Sequence, residues 1–473
     1  MEAIINFFTG TLNTVAWLYI FLPCTIVGGL YLTIRNRGIQ FTRFGYAMKN
    51  TVGKMFQKQE AGAGAVTPLQ AVTTALAATV GTGNIVGTSQ AIALGGYGAV
   101  FWLWLAALLG MMIKYSEVTL SIQYRERDAK GDWVGGPMYY VKNGLGKHWQ
   151  WVGILFCVFA AIASFGIGNM GQINKIVLNM KSAFFGGVTA TVGGMSVVSL
   201  ACGIVLMILA ALIVIGGLQR IATVAERVVP FMAVLYIIGS LIVFFTHISS
   251  VGAMFAAIFR FAFGSKAVAG GAAGIAIQQA ITQGCKRGVF SNEAGLGSLA
   301  VLHGMSEGKG RLRQRQEAQK QGMWAIFEVF FDTIIGCSLT AFLLLCVFPH
   351  NLTEKIDSLG GSGAVAAALA ARFGNAGGIV TAACMVLFAF ATILAWFYIG
   401  DQALGWLMRD VPQKRADKIC ILYHGGYLAS VFLGCVSRME AVWAVSDIFN
   451  GLMAVPNLAA LVLLGRKVRR PER

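Results

Sequence analysis

Eleven runs of about twenty mostly apolar residues recur along the 473-residue chain, near 12–33, 68–93, 97–123, 150–179, 197–217, 221–247, 266–284, 319–348, 377–408, 417–435 and 441–465. Each is long enough to cross a bilayer as a helix. Lipid offers backbone N–H and C=O groups no partner, so a chain built this way folds as a bundle of helices. Only 12% of the residues are charged, about half the share in a soluble protein. No polar stretch is long enough for a separate soluble domain. The expected class is therefore an all-α polytopic membrane protein.

Charge gives the orientation. A net charge of +17 in a soluble protein would point to nucleic acid. Here, with the N-terminus outside and the runs alternating, 29 of the 37 Lys and Arg fall on cytoplasmic segments, as the positive-inside rule requires. No nucleic-acid partner is expected, and the C-terminal cluster Arg466–Arg473 is expected in the cytoplasm of a cell membrane protein. The first run is followed by Arg35 and Arg37, and Met1–Phe8 lacks a basic region, which fits a retained helix better than a cleaved signal. Nine scattered Cys show no ligand spacing and are expected to be reduced packing residues, with no metal centre and no cofactor. The five His fall at loops or span ends, and no acid–base or nucleophilic arrangement suits an enzyme.

The second run is anomalous. Ala77-Ala78-Thr79-Val80-Gly81-Thr82-Gly83-Asn84 puts glycines, hydroxyls and an amide in mid-span. A helix weakened there is tolerated only where its freed groups face protein, a cavity or a ligand. With the first helix set aside, ten runs divide into five and five, giving expected units of residues 1–64, 65–250 and 251–473. The first run of the second half carries Gly270-Gly271-Ala272-Ala273-Gly274. Glycine-interrupted helices at matching positions of two inverted halves point to a transporter site, where free N–H groups receive a carboxylate and unwound carbonyls a cation. Any one glycine is explained equally well by close helix packing.

Other polar residues within spans are further candidates. Asn169 and Gln172, three apart, are expected to share a face, as are Thr392 and Trp396, four apart. Lys114 and Glu117 are expected to pair. Glu328 and Asp332 either neutralise a gate or carry coupling charge, or form an ion pair with a neighbouring helix. Phe348–Asn375 is the long external connection, suited to a lid, and Arg35–Gly64 suits an interfacial amphipathic segment.

Several stretches together resemble the sodium:alanine symporter family: Gly95-Gly96-Tyr97-Gly98-Ala99-Val100-Phe101-Trp102-Leu103-Trp104, Gly81-Thr82-Gly83-Asn84, Gly166-Ile167-Gly168-Asn169-Met170, Arg287-Gly288-Val289-Phe290-Ser291-Asn292-Glu293-Ala294-Gly295-Leu296-Gly297-Ser298, and Phe388-Ala389-Phe390-Ala391-Thr392 followed by Trp396. The resemblance covers nearly the whole chain and departs at Leu103, where Met is usual. It implies a leucine-transporter-type 5+5 inverted repeat with one extra N-terminal helix, and Na+-driven uptake of alanine or glycine. It also implies that Thr79, Gly81, Thr82, Gly83 and Asn84, with Gly270, Gly271, Ala272 and Gly274, form the amino-acid site. Gln172, Thr392 and Trp396 match substrate-facing positions. A sodium site is implied between the first break and the ninth span, at Thr79, Thr82 and Thr392. Ala272 stands where some relatives carry an aromatic residue, which leaves room for a larger neutral substrate such as glutamine or serine. H+ is the alternative coupling ion.

Overall fold

The computed structural model describes residues 15–55, 57, 60–263, 272–307, 314–349, 351–436 and 440–468, with backbone only at 16, 272–276 and 440–447. The described chain is almost entirely helical. Its principal helices are α1 (Trp17–Arg35), α2 (Ile39–Thr42), α3 (Phe44–Asn50), α4 (Pro68–Thr79), α5 (Thr88–Gly95), α6 (Gly98–Tyr124), α7 (Lys147–Phe184), α8 (Val197–Val214) and α9 (Gly217–Thr246). They continue as α10 (Ile248–Phe263), α11 (Ala272–Asn292), α12 (Ser298–Gly304), α13 (Gln314–Val347), α14 (Leu352–Phe373), α15 (Asn375–Met408), α16 (Gln413–Val436) and α17 (Glu440–Leu464).

Eight of these are long and apolar enough to span a membrane among the described residues: α1, α6, α7, α8, α9, α13, α15 and α16. The other expected runs fall on α4–α5, which is interrupted, on the more polar α11, and on the 25-residue α17. Burial separates scaffold from rim. In α6 and α13, 67% of the most apolar window is buried inside the protein, against 33% in α8 and α9. α8 turns Ile204, Val205, Ile208, Leu209 and Leu212 outward, a face suited to acyl chains rather than water.

Local sequence sets the first broken helix. Thr67 caps α4 by accepting the Gln70 N–H at 3.1 Å, Gln70 reaches back to the Thr67 N–H, and Pro68 takes the first turn. The helix ends where Val80 turns extended (φ −70°, ψ 94°) ahead of Gly81 and Gly83. Helical structure resumes as a wide turn at Gly83–Gly87 and runs into α5.

The second half repeats this on α11 and α12, and among the described residues the interruption is not at Ala272–Gly274. Gly270 and Gly271 lie outside the described residues. Ala272 and Gly274 belong to the first turn of the 21-residue α11. The break comes at its far end, at Glu293–Gly297, where Glu293 (φ +54°), Gly295 (φ +91°) and Gly297 (φ +79°) adopt left-handed backbone. Only glycine takes that conformation without steric cost, and the cost at Glu293 is met by what its side chain binds.

The two broken helices are antiparallel. α4 packs on α12 and α5 on α11, so the early half of each meets the late half of the other. Val66 N–H bonds Met305 O at 3.2 Å and Glu307 N–H bonds Val66 O at 3.0 Å, closing one end. At the other end, Gly95 lies so close to α11 that an added Cβ would stand 3.1 Å from Gln279 O. Two discontinuous helices packed antiparallel are the pairing that a leucine-transporter-type fold places at its centre.

The connections are structured. The expected lid is α14, kinked at Gly360 (φ +72°), and Ser89 Oγ donates to Gly361 O at 3.3 Å, tying it to the first broken helix. The segment after α1 forms α2 and α3, with Phe44 edge-on to Phe330 at 5.0 Å. The connection from α6 to α7 is entered by a short hairpin, Glu126–Arg127 against Trp133–Val134.

Candidate functional site

The first break is closed by side chains from four other helices. The last carbonyls of a helix lack in-helix partners. In α4, Leu76 O receives the Val80 N–H at 2.8 Å, and Ala77 O receives the Thr392 hydroxyl of α15 at 2.9 Å. The same hydroxyl lies 3.0 Å from Phe388 O. Gly81 permits this approach, because a Cβ there would stand 3.1 Å from Thr392 Oγ1. Three oxygens from two helices thus converge beside the break.

Asn84 organises the rest. Its Oδ1 accepts the Gly81 N–H at 2.8 Å. Its Nδ2 donates to Asp332 Oδ1 and Asp332 O, both at 2.8 Å, and to Ser291 Oγ at 3.2 Å. Asp332 sits on a wide turn of α13, Phe330–Cys337, that points its carboxylate inward. Its Oδ2 accepts from Ser291 Oγ and Thr333 Oγ1, each at 2.8 Å. Asp332 is 1% exposed, so one buried carboxylate joins Asn84 beside the first break to Ser291, two residues before the second. Of the alternatives at Glu328 and Asp332, they divide: Asp332 lies between the breaks, whereas Glu328 accepts from the His303 ring at 2.9 Å. His303 is fully buried in α12, not at a loop, and is held on its other nitrogen by Gln321 at 2.8 Å.

Gln172 and Asn169 do not share a partner surface. The wide turn Gly166–Met170 rotates them apart. Gln172 Oε1 accepts from Thr82 Oγ1 at 3.0 Å, whereas Asn169 donates to Tyr427 O and Ser430 Oγ of α16. Thr82 also accepts from Lys175 Nζ at 3.2 Å. Thr79 turns back to Ala75 O of its own helix, at 3.3 Å.

Thr392 and Trp396 serve different breaks. Trp396 is buried, its ring so close to Gly168 that an added Cβ there would lie 2.4 Å away, and its indole N–H donates to Glu293 Oε1 at 3.1 Å. The other Glu293 oxygen accepts from Ser298 Oγ. Glu117 holds the same loop. Its Oε1 accepts the N–H groups of Gly295 at 3.0 Å and Gly297 at 3.1 Å, and Asn457 Nδ2 at 2.6 Å. Lys114 Nζ stands 3.6 Å from Glu117 Oε2, both side chains fully buried. The expected Lys114–Glu117 pair exists, and its larger role is to fasten the second break.

The sequence reading missed Glu293, Ser291 and Asn457 as site residues. The signal was present, since Ser291-Asn292-Glu293-Ala294-Gly295-Leu296-Gly297 combines polar groups and spaced glycines as Gly81–Asn84 does. Ala272 lies at the opposite end of α11 from this loop, about 30 Å along a 21-residue helix, so it does not set the room opposite Gly81–Asn84.

The chain is similar to known proteins along nearly its whole length. The model of the sodium:alanine symporter family matches residues 1–471. An uncharacterized transporter of Haemophilus influenzae is 39% identical over 442 residues, covering 93% of this chain and 89% of its own. The sodium/alanine symporter AgcS of Methanococcus maripaludis is 36% identical, covering 96% of this chain and 93% of its own. A probable sodium/glutamine symporter, GlnT of Bacillus subtilis, is 33% identical over 99% and 90%. A solved structure of MhsT in complex with L-phenylalanine aligns over 86% of this chain and 99% of its own, at 18% identity and a TM-score of 0.49. These relatives are transporters rather than enzymes, and the chain is a multi-pass membrane protein that belongs to the sodium:alanine symporter family.

Proposed function

We propose that this chain imports a small neutral amino acid, alanine or glycine, by Na+ symport through alternating access. The observation that carries the reading is the convergence of Thr392 Oγ1, Ala77 O and Phe388 O within 3.0 Å beside a glycine-lined break. Hard oxygen ligands suit Na+, and the Thr392 hydroxyl oxygen has lone pairs to offer a cation as well as its proton. Thr82 and Thr79 contribute less to such a site. A Lys175 ammonium already bonds the Thr82 oxygen and would repel Na+ there, and the Thr79 hydroxyl faces its own helix. The amino acid fits between the Gly81–Gly83 N–H groups, Gln172 and the second break, with Trp396 walling the pocket. Gly270, Gly271, Ala272 and Gly274 are not needed for it.

The driving force is sufficient. One charge moving down 100 mV releases about 2.3 kcal/mol, and a tenfold Na+ gradient about 1.4 kcal/mol. Together they support roughly several-hundred-fold accumulation of a neutral solute at 1:1 coupling. In this scheme the N-terminus is outside and the C-terminus cytoplasmic, and α4–α6 with α11–α13 rock against the remaining helices. The halves are residues 65–250 and 251–473.

H+ coupling is the second reading, favoured by Asp332, a buried carboxylate that lies between the breaks and is able to carry a proton. Uptake of labelled alanine into proteoliposomes, with a panel of amino acids as competitors, tests the substrate. Competition by alanine and glycine alone fits the proposal. Stronger competition by glutamine or serine moves the chain to the larger-substrate class.

A further inference from the structure

We propose that His303 is a proton-binding site that governs how the two broken helices close on each other at the end which the proposed orientation places in the cytoplasm. The ring is at the penultimate position of α12, fully buried, between two side chains of α13. Gln321 meets its Nδ1 at 2.8 Å and Glu328 Oε2 meets its Nε2 at 2.9 Å. Gln321 and Glu328 are seven residues apart, two helical turns or about 10 Å, so they bracket the ring from one helix.

The hydrogen bonds assign the protons. Gln321 Nε2 also reaches Pro68 O at 3.3 Å, and its Oε1 accepts from Ser306 Oγ at 3.2 Å. A carbonyl oxygen only accepts, so the atom facing Pro68 is the amide nitrogen, and that nitrogen donates to His303 Nδ1 as well. The ring proton is therefore assigned to Nε2, which donates it to Glu328, and the ring is neutral. Through Gln321, His303 is tied to the first residue of α4, beside the Val66–Met305 and Glu307–Val66 backbone bonds that close this end.

A second proton, on Nδ1, is favoured by one neighbour and opposed by the other. Glu328 is buried, and its Oε1 has no hydrogen-bond partner among the described residues. Its charge is matched once His303 becomes an imidazolium, which a buried carboxylate strongly favours. The charges on the other elements packed against α12 have partners of their own. On α6, Lys114 faces Glu117, and the Tyr115 phenol bonds Thr119. Past its end, Arg125 pairs with Glu317 at 2.8 Å and donates to Gly304 O at 3.4 Å. In the hairpin, Arg127 pairs with Glu307 and Glu126 with Lys142. Asp401 of α15 bonds His424, and α4 carries no charged residue. The Glu293 and Asp332 carboxyls are within electrostatic reach of Glu328 and favour the same protonation.

Gln321 opposes it, because an amide nitrogen has nothing to donate to once Nδ1 is protonated. The amide must then turn its oxygen to the ring. It loses the N–H that held Pro68 O and the oxygen that Ser306 used. A proton at His303 therefore releases α4 from α12 and α13, and this end opens. Histidine is the side chain whose charge ordinarily changes between about pH 5 and 8, so cytoplasmic acid speeds release of the carried amino acid.

That last step rests on the reading that the chain carries an amino acid, and two measurements separate the claims. Hydrogen exchange of the purified full chain reads the site without transport. Peptides covering Val66 and Glu307 are compared with α8 in the same sample, which cancels the intrinsic effect of pH. From about pH 7.5 to about pH 6, their protection relative to α8 falls about fivefold in the wild type and stays level in His303→Gln. In Gln321→Glu, whose carboxylate accepts from a protonated Nδ1, protection is already low at the higher pH. A wild-type ratio equal at both pH values, a His303→Gln chain that still responds, or a Gln321→Glu chain as protected as the wild type overturns the site. In proteoliposomes with the outside held near neutral pH, acid inside raises the maximal rate of alanine uptake about threefold in the wild type and leaves His303→Gln unchanged. A proton serving as coupling ion would lower that rate, since internal acid opposes its entry. A wild-type rate that stays level or falls overturns the role in release. If the wild type takes up no alanine at all, the transport reading fails, and the exchange result alone decides the site.

Discussion

The two breaks are built from similar sequence and held in opposite ways. The first, at Val80–Thr82, is met mainly by hydroxyl and amide groups, Thr392, Asn84 and Gln172, with the Lys175 ammonium on Thr82 and the Asp332 carboxylate behind Asn84, and no carboxylate takes its backbone N–H groups among the described residues. The second, at Glu293–Gly297, is fastened by the Glu117 carboxylate, which takes two backbone N–H groups and an Asn457 amide at one oxygen. Charge-assisted bonds of this kind are about twice as strong as neutral ones. The first break is thus the exchangeable surface and the second a fixed hinge point. Asp332 lies between them, bonded to Asn84 beside the first and to Ser291, two residues before the second.

Removing the clamp tests this contrast most severely. Glu117→Gln leaves Lys114 buried without its counter-charge and weakens the loop bonds, at a cost of about 3–5 kcal/mol. The expected result is a large fall in the midpoint of thermal unfolding in detergent, with little folded protein recovered. A variant as stable as the wild type would show that the second break is held by something else. Gly168→Ala comes next. Its Cβ would meet the Trp396 ring at 2.4 Å, and because the ring is boxed in, Trp396 must turn and release Glu293. Uptake is expected to fall by more than about tenfold while the protein still elutes as a folded species.

Gly81→Ala is milder. The new methyl would press on Thr392 Oγ1 at 3.1 Å, a gap that a few tenths of an ångström of movement relieves. The Na+ concentration for half-maximal uptake should rise about threefold, less than 1 kcal/mol, with stability unchanged. The smallest effect lies far from both breaks, at the hairpin. Burial works against the Glu126 carboxylate, but hydrogen bonds from Lys142 and Asn143, with the nearby charges of Lys142 and Arg409, outweigh it and hold its pKa below the usual glutamate value. A depressed carboxyl contributes stability above its unfolded pKa and loses it as pH falls through the folded one. Lys142→Met should therefore lower the unfolding midpoint slightly at neutral pH and leave it unchanged at acid pH, where the pair is already lost.

Much of the fold was legible because the bilayer imposes it. Run length and basic clusters located the helices, and the first break announced itself as Gly81-x-Gly83-Asn84 within an apolar span. Thr392 and Gln172 were legible as buried polar residues, and both close that break. The second break was misplaced for a physical reason. Glycine clusters such as Gly270–Gly274 look alike whether they begin a helix or interrupt one, and what distinguishes a break is the partner that receives its freed N–H groups. That partner, Glu117, is about 180 residues away in sequence, on a helix where its nearest charged neighbour Lys114 seemed to account for it. Asn169 was misread for a related cause, since a wide turn at Gly166–Met170 shifts the face that ideal helical spacing assigns.

The account stands on the first break as the place where Na+ and amino acid meet, and Thr392 tests that most directly. Alanine uptake is measured in proteoliposomes against external Na+, with K+ as replacement, for the wild type and Thr392→Ala. The predicted result is uptake that requires a Na+ gradient in the wild type and a half-saturating Na+ concentration raised about tenfold in the variant, equivalent to about 1.4 kcal/mol, with the protein still folded. Uptake indifferent to Na+, or a variant whose Na+ dependence matches the wild type, would contradict it.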